Sequence, residues 1–86
     1  MKKTFHLQIT SIVGMIFDQE VESVLLIGDE GEFELLPFHF PLLAALPEGI
    51  IRIKGHDPIP LRAGAVIFRD NKCIILVEEM EAPKKK

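Results

Sequence analysis

Three histidines, one cysteine and a short run of carboxylates are the side chains of this sequence most suited to chemistry. His6, His39 and His56 fall on separate segments, and none stands at metal-ligand spacing from another histidine or from Cys73. Cys73 opens the apolar run Cys73 to Val77, where a thiol behaves as a small hydrophobe, and a single cysteine cannot form an internal disulfide. Asp29, Glu30, Glu32 and Glu34 crowd into GDEGEFE, which lacks the D-x-[DN]-x-[DN]-G order and the distant bidentate glutamate of a calcium loop. The stretch reads as a solvated turn, and an enzyme using this acidic loop is the catalytic alternative. The handles of phosphoryl, acyl and redox chemistry, G-x-x-x-x-G-K-[ST], G-x-S-x-G and C-x-x-C, do not occur. No catalytic residue, metal or cofactor is therefore assigned.

A different kind of signal lies in GEFELLPFHFPLL, Gly31 to Leu43, where two prolines, three phenylalanines and one histidine share thirteen positions. Prolines at 37 and 41 restrict the backbone, so apolar groups held there lose little entropy on docking, which is what a binding surface favours. Phe33, Phe38 and Phe40 have two readings, as plugs for the end of a core or as contacts for a partner. His39 is expected on an exposed, stiff turn between them.

The rest of the chain must position that segment. Its 86 residues suffice for one domain, expected over 1–80, with a charged and frayed tail over 81–86. Apolar residues at 48% and charges at 27% suit a folded globular protein. A formal charge of -3 gives no electrostatic reason to approach nucleic acid. No apolar run approaches the roughly 18 residues of a membrane-spanning helix, and no secretory signal pattern opens the chain, so direct membrane insertion is not expected. A cytoplasmic protein follows.

Phe5, Leu7 and Ile9 alternate with His6, Gln8 and Thr10, the period of a half-buried strand. Gly14 ends it, and Met15 to Phe17 resumes before Asp18, Gln19 and Glu20 turn the chain outward. Val21 to Ile27 is the third strand, Phe33 to Leu36 the fourth, and PLLAALP reads as extended because its prolines leave room for only about one helical turn. Ile50 to Ile53 and Ile59 to Leu61 flank the turn formers Gly55 to Pro58, and Gly64 starts a further run. Asp70-Asn71 joins Ala65–Arg69 to Lys72–Val77 as the clearest hairpin. Cys73 to Val77 supplies apolar groups to both strand faces, so its outer face is covered by a neighbour or meets a partner. The expected fold class is all-β, an antiparallel β-sandwich or flattened barrel of about 8–10 short strands.

FHLQITS, then FDQEVESVLLIGDEGEFELLPFHFPLLAALPEGIIRIK, then GAVIFRDNKCIILVEE together resemble the N-terminal β-sandwich of the epsilon subunit of F-type ATP synthases, equivalent to the mitochondrial delta subunit. Gly31, Glu32, Pro37, His39, Pro41, Leu42 and Leu43, followed by Leu46, Gly49 and Ile51 to Ile53, carry the most specific part. The resemblance implies a noncatalytic rotor component of a proton- or sodium-translocating ATP synthase, joining the gamma stalk to the c ring. It would sit peripherally on the cytoplasmic face of the inner membrane. Glu32 matches a position next to the polar loops of the c ring, His39 and Ala44 match positions facing gamma, and Leu42 and Leu43 match the apolar pair between them. With Phe38 and Phe40 these form the expected partner interface. Family members usually carry glycine where Glu34 and Phe38 stand and a small residue at Phe40, so this loop is bulkier. The family's C-terminal helical hairpin is not expected after Met80. A free-standing β-sandwich binding a small ligand is the alternative function.

Overall fold

The computed structural model describes residues 2–80, apart from the side chains of Glu79 and Met80. The tail expected over 81–86, and the question of a helical hairpin after Met80, lie outside the described residues. Eight strands follow one another: β1 (Phe5–Ser11), β2 (Gly14–Val21), β3 (Val24–Gly28), β4 (Gly31–Leu35), β5 (Leu42–Leu46), β6 (Gly49–Ile53), β7 (Ile59–Arg69) and β8 (Lys72–Met80). The strands hydrogen-bond in the order β2-β1-β8-β7-β6-β3-β4, and β5 pairs with β7 off that path.

The architecture turns on β7. Its first residues pair with β6, Ile59 to Ile51, while Gly64 to Phe68 pair with β5, and β8 runs along its other edge. One long strand thus belongs to both layers of the sandwich, which is all-β as expected but not closed into a barrel. The expected boundary at Gly64 is instead an irregularity within β7, where the register against β8 shifts between Leu61 and Gly64. A bulge bends a strand without ending it, which lets one strand serve two sheets. Gly64 allows the close approach there, since a Cβ at this position would lie 2.5 Å from the Leu76 carbonyl oxygen.

Two further expectations are corrected. Asp18, Gln19 and Glu20 do not turn outward but lie within β2, opposite Gln8, Leu7 and His6 of β1. The turn sits earlier, at Ile12 and Val13, and Val21 ends β2 rather than opening β3. Charged residues suit β2 because it is a sheet edge with one side toward water. The sheet is also not wholly antiparallel, since β1 and β8 pair in parallel from His6 opposite Lys72 to Ser11 opposite Val77. A parallel pair needs a distant connection, and here the whole intervening chain provides it.

The core follows the period-two pattern. Phe5, Leu7 and Ile9 of β1 are fully buried, as are Phe68 of β7 and Cys73 and Ile75 of β8. Phe5 meets Phe68 edge-on with ring centroids 5.3 Å apart, an arrangement favoured by the ring quadrupoles. The buried side chains among the described residues are all apolar. Burial pushes the Cys73 thiol up to about 12, which keeps it protonated and inert at neutral pH.

Candidate interaction site

The loop from Leu36 to Pro41, between β4 and β5, is where stiffness and exposure coincide. Pro37 sets the start of a tight turn closed by the His39 amide donating to the Leu36 carbonyl at 3.1 Å. Phe38 occupies the position after the proline with φ 66, in the left-handed region. Proline followed by a positive φ is the combination of a type II turn, where glycine is the usual residue. A phenylalanine held there costs about 1–2 kcal/mol.

What holds that conformation is Asn71. Its side-chain oxygen accepts the Phe38 amide at 2.7 Å and its side-chain nitrogen donates to the Thr4 carbonyl at 3.0 Å. Its own backbone carbonyl accepts the His6 amide at 3.3 Å. Asn71 can do this because it and Asp70 adopt positive φ values, 58 and 53, in the hairpin expected at this dipeptide. One residue therefore ties the loop to the β7–β8 turn and to the start of β1.

His39 closes the turn expected for it, but its ring is not exposed. Its ring is half-buried, stacked against Phe40 with centroids 4.4 Å apart and set edge-on to the core ring of Phe68 at 5.6 Å. Its Nδ1–H donates to the Phe40 carbonyl at 2.7 Å, which holds the following Phe40–Pro41 peptide in place. The large apolar side chains most exposed here are Phe38, Phe40 and Leu43, at 67%, 72% and 75% exposure. Phe33, by contrast, is partly buried against the core. The two readings of the phenylalanines thus divide, with Phe33 a plug and the other two displayed.

The structure brings most of the expected interface residues around one groove. Glu32, His39, Phe40, Leu42 and Ala44 line a trough of about 580 Å³ together with the β3–β4 turn. Gly31, at φ 115, makes that turn tight enough to place Glu32 beside the loop. Leu43 points away from the trough, into a neighbouring surface formed with Pro41, Ile67 and Phe68. Phe38 belongs to neither. It lies where the β4–β5 loop meets Asn71, beyond the opposite end of β4 from Glu32. All four acidic residues are exposed, but only Asp29 and Glu30 form the expected turn, while Glu32 and Glu34 lie within β4, paired with Ile27 and Leu25 of β3.

The remaining ionisable groups do not converge on a site. His6 and His56 stand on β1 and in the Gly55–Pro58 turn, and His56 packs edge-on against Phe17 at 5.1 Å. No group of three or more metal-ligating side chains among the described residues is arranged to hold an ion. His6 does carry a cluster that sequence spacing did not reveal. Its Nδ1 faces Glu20 at 3.0 Å and its Nε2 faces Asp18. Hydrogen bonds donated by the ring to both carboxylates raise the His6 pKa above 6.5, the Glu20 bond contributing most. The Thr4 hydroxyl, donating at 2.8 Å, and then His6 lower that of Glu20. The signal was present in the sequence only as a register, which depends on where the β1–β2 turn falls.

A second trough of about 410 Å³ lies on the outer face of β8, between Thr10 to Ile12, Gly64, Ala65 and Leu76 to Glu78. The outer face of Cys73–Val77 is therefore only partly covered, with Ile74 half-buried and Leu76 exposed.

The two-layer strand fold and its displayed loop define a small β-sandwich domain. The family described as ATP synthase, Delta/Epsilon chain, beta-sandwich domain matches residues 4–83, and the chain belongs to this family. An ATP synthase epsilon chain of Campylobacter fetus is 38% identical over 79 residues, covering 87% of this chain and 61% of the relative. One from Desulfitobacterium hafniense is 36% identical over 88 residues, covering 99% of this chain and 67% of the relative. One from Chlorobium limicola is 35% identical over 82 residues, covering 91% of this chain and 93% of the relative. The chain spans about three fifths of the length of the Campylobacter relatives it matches, 61% and 60%. In fold it is similar to a chain in the Tetrahymena thermophila mitochondrial ATP synthase central stalk and c ring. That match has a TM-score of 0.78 and 18% identity, and covers 94% of this chain and 69% of the other. A chain of the Euglena gracilis mitochondrial ATP synthase gives a TM-score of 0.80 and 21% identity over 94% of this chain and 54% of its own length.

Proposed function

We propose that this chain acts as a noncatalytic rotor subunit of an F-type ATP synthase, coupling the gamma stalk to the c ring. In this reading Glu32 meets the polar loops of the c ring, and His39, Leu42, Leu43 and Ala44 meet gamma. The protein is then peripheral to the cytoplasmic face of the membrane through the complex. Among the described residues no helix is long and apolar enough to cross a membrane.

The observation that carries the reading is the combination of display and restraint in one segment. Phe40 and Leu43 expose apolar surface, while Pro37, Pro41, the His39 stack and the Asn71 bonds limit the motion of the backbone that bears them. A joint that transmits rotation must not yield under load, and preorganised anchors lose little entropy when they dock. Glu32 stands across the same trough from Phe40, so one end of the sandwich offers a polar and an apolar contact side by side.

Leu43→Asp tests the reading with little effect on the fold, because this side chain is largely in solvent. Loss of a buried leucine together with burial of a charge is expected to weaken binding to purified gamma subunit about 100-fold or more. Affinity within twofold of wild type would remove the basis for this interface. His39→Asp is a poorer probe, since its ring also packs on the core residue Phe68.

A further inference from the structure

We infer that Phe38 is a specificity-determining knob that seats in an apolar socket on the gamma shaft. The inference rests on the docking role proposed above and gives one expected interface residue a particular partner and purpose. The loop spends conformational energy on showing this ring. Phe38 adopts φ 66 where the turn favours glycine, and Asn71 holds it there through a 2.7 Å bond to its amide. Yet the side chain is 67% exposed, so contacts within the domain return little for the strain. Strained positions persist where the surrounding structure imposes them, and they gather at functional sites. A glycine would satisfy the same turn without strain, so the benefit of the ring must come from outside the fold.

Its chain neighbours assign the knob to the shaft. Phe38 directly precedes His39, which meets gamma in the proposed reading, and it lines neither the trough shared by Glu32 and Phe40 nor the surface around Leu43. The surface flanking the knob supplies a second constraint. Leu36 and Pro37 border a trough in which three lysines, Lys2, Lys3 and Lys54, outnumber two glutamates, Glu22 and Glu34. Glu22 lies between two of these lysines, bonding Lys2 at 3.2 Å and Lys54 at 3.1 Å. The matching surface is an apolar socket with a carboxylate on its border. Exposed aromatic anchors entering such pockets dominate interface affinity.

The test measures affinity of the chain for purified gamma subunit, and separately for c ring, both from the same organism. Phe38→Gly and Phe38→Ala are expected to weaken gamma binding at least tenfold and leave c-ring binding within twofold. Phe38→Gly should melt no lower than Phe38→Ala, because glycine accepts the positive φ and alanine does not. Gamma affinity within twofold of wild type for both variants, with Leu43→Asp still disruptive, overturns the knob and leaves the docking role standing. If Leu43→Asp also binds normally, the docking role itself fails and the knob with it. A loss confined to c-ring binding overturns the assignment to the shaft.

Discussion

Two regions of this small sandwich push large apolar side chains into water, and they are built differently. The Leu36–Pro41 loop and the start of β5 display Phe38, Phe40 and Leu43, and the β1–β2 turn displays Ile12 and Val13 at 94% and 88% exposure. The first is braced by two prolines, a ring stack and two hydrogen bonds of 2.7 Å. The second is held by weaker contacts. The Val13 amide donates to the Ser11 hydroxyl at 3.2 Å, and the Thr10 and Ser11 hydroxyls reach the Gly14 carbonyl only at 3.4 Å. Exposed apolar area therefore does not by itself mark a docking surface. The backbone beneath it decides how much entropy remains to be lost on binding.

The strongest way to break this comparison is to remove the brace and keep the apolar groups. Asn71→Gly accepts the φ of 58 but loses the side-chain bonds to Phe38 and Thr4. It is expected to lower stability by about 2 kcal/mol, at roughly 1 kcal/mol per bond, read by urea unfolding. The loosened loop should also bind gamma about tenfold more weakly, a change of about 1.4 kcal/mol. Full affinity in this variant would mean that restraint contributes nothing and that exposure alone suffices.

A smaller effect separates the β1–β2 pairing from the Asn71 brace by pH. The β1–β2 pair is held partly by the His6, Asp18 and Glu20 cluster, whereas the Asn71 bonds join groups that do not titrate. The raised His6 pKa means that its stabilisation is complete below 6.5 and is lost as pH rises through the folded-state value. The lowered Glu20 pKa works in the opposite direction, with stabilisation present above 4.5 and lost as pH falls below it. The cluster therefore contributes most between these limits. Thermal melts from pH 6 to 8 should show the wild type losing about 2 °C that His6→Gln does not lose, an effect kept small by solvent exposure. Equal slopes would show that the cluster adds nothing to the hairpin.

The smallest expected change comes from the unbraced turn. Ile12→Asp with Val13→Asp should shift stability by no more than about 0.5 kcal/mol and leave gamma affinity within twofold. A large loss of binding would place that turn in the interface and erase the distinction between the regions.

Much of the local structure was legible because it depends on near neighbours along the chain. The alternation of Phe5, Leu7 and Ile9, the extended reading of PLLAALP and the Asp70-Asn71 turn all appear in the fold as strand and hairpin. Asp18 to Glu20 misled because a polar triplet is a turn signal in isolation, yet on an edge strand it faces water and pairs with β1. The long β7 was hidden for a related reason, since Gly64 suggests a break that its changing partners absorb.

From the amino-acid order alone came the strand periods, the stiffened aromatic segment and the family likeness. These are properties of residues a few positions apart, where sterics and side-chain polarity act without reference to the rest of the chain. Tertiary structure alone decided that β8 would lie parallel to β1 and that His39 would settle against Phe68. It also decided that Asn71 would reach across 33 positions to hold Phe38 in a conformation phenylalanine rarely adopts. Such contacts form because burial of the common core selects one arrangement of whole strands, and no short window of sequence contains that competition.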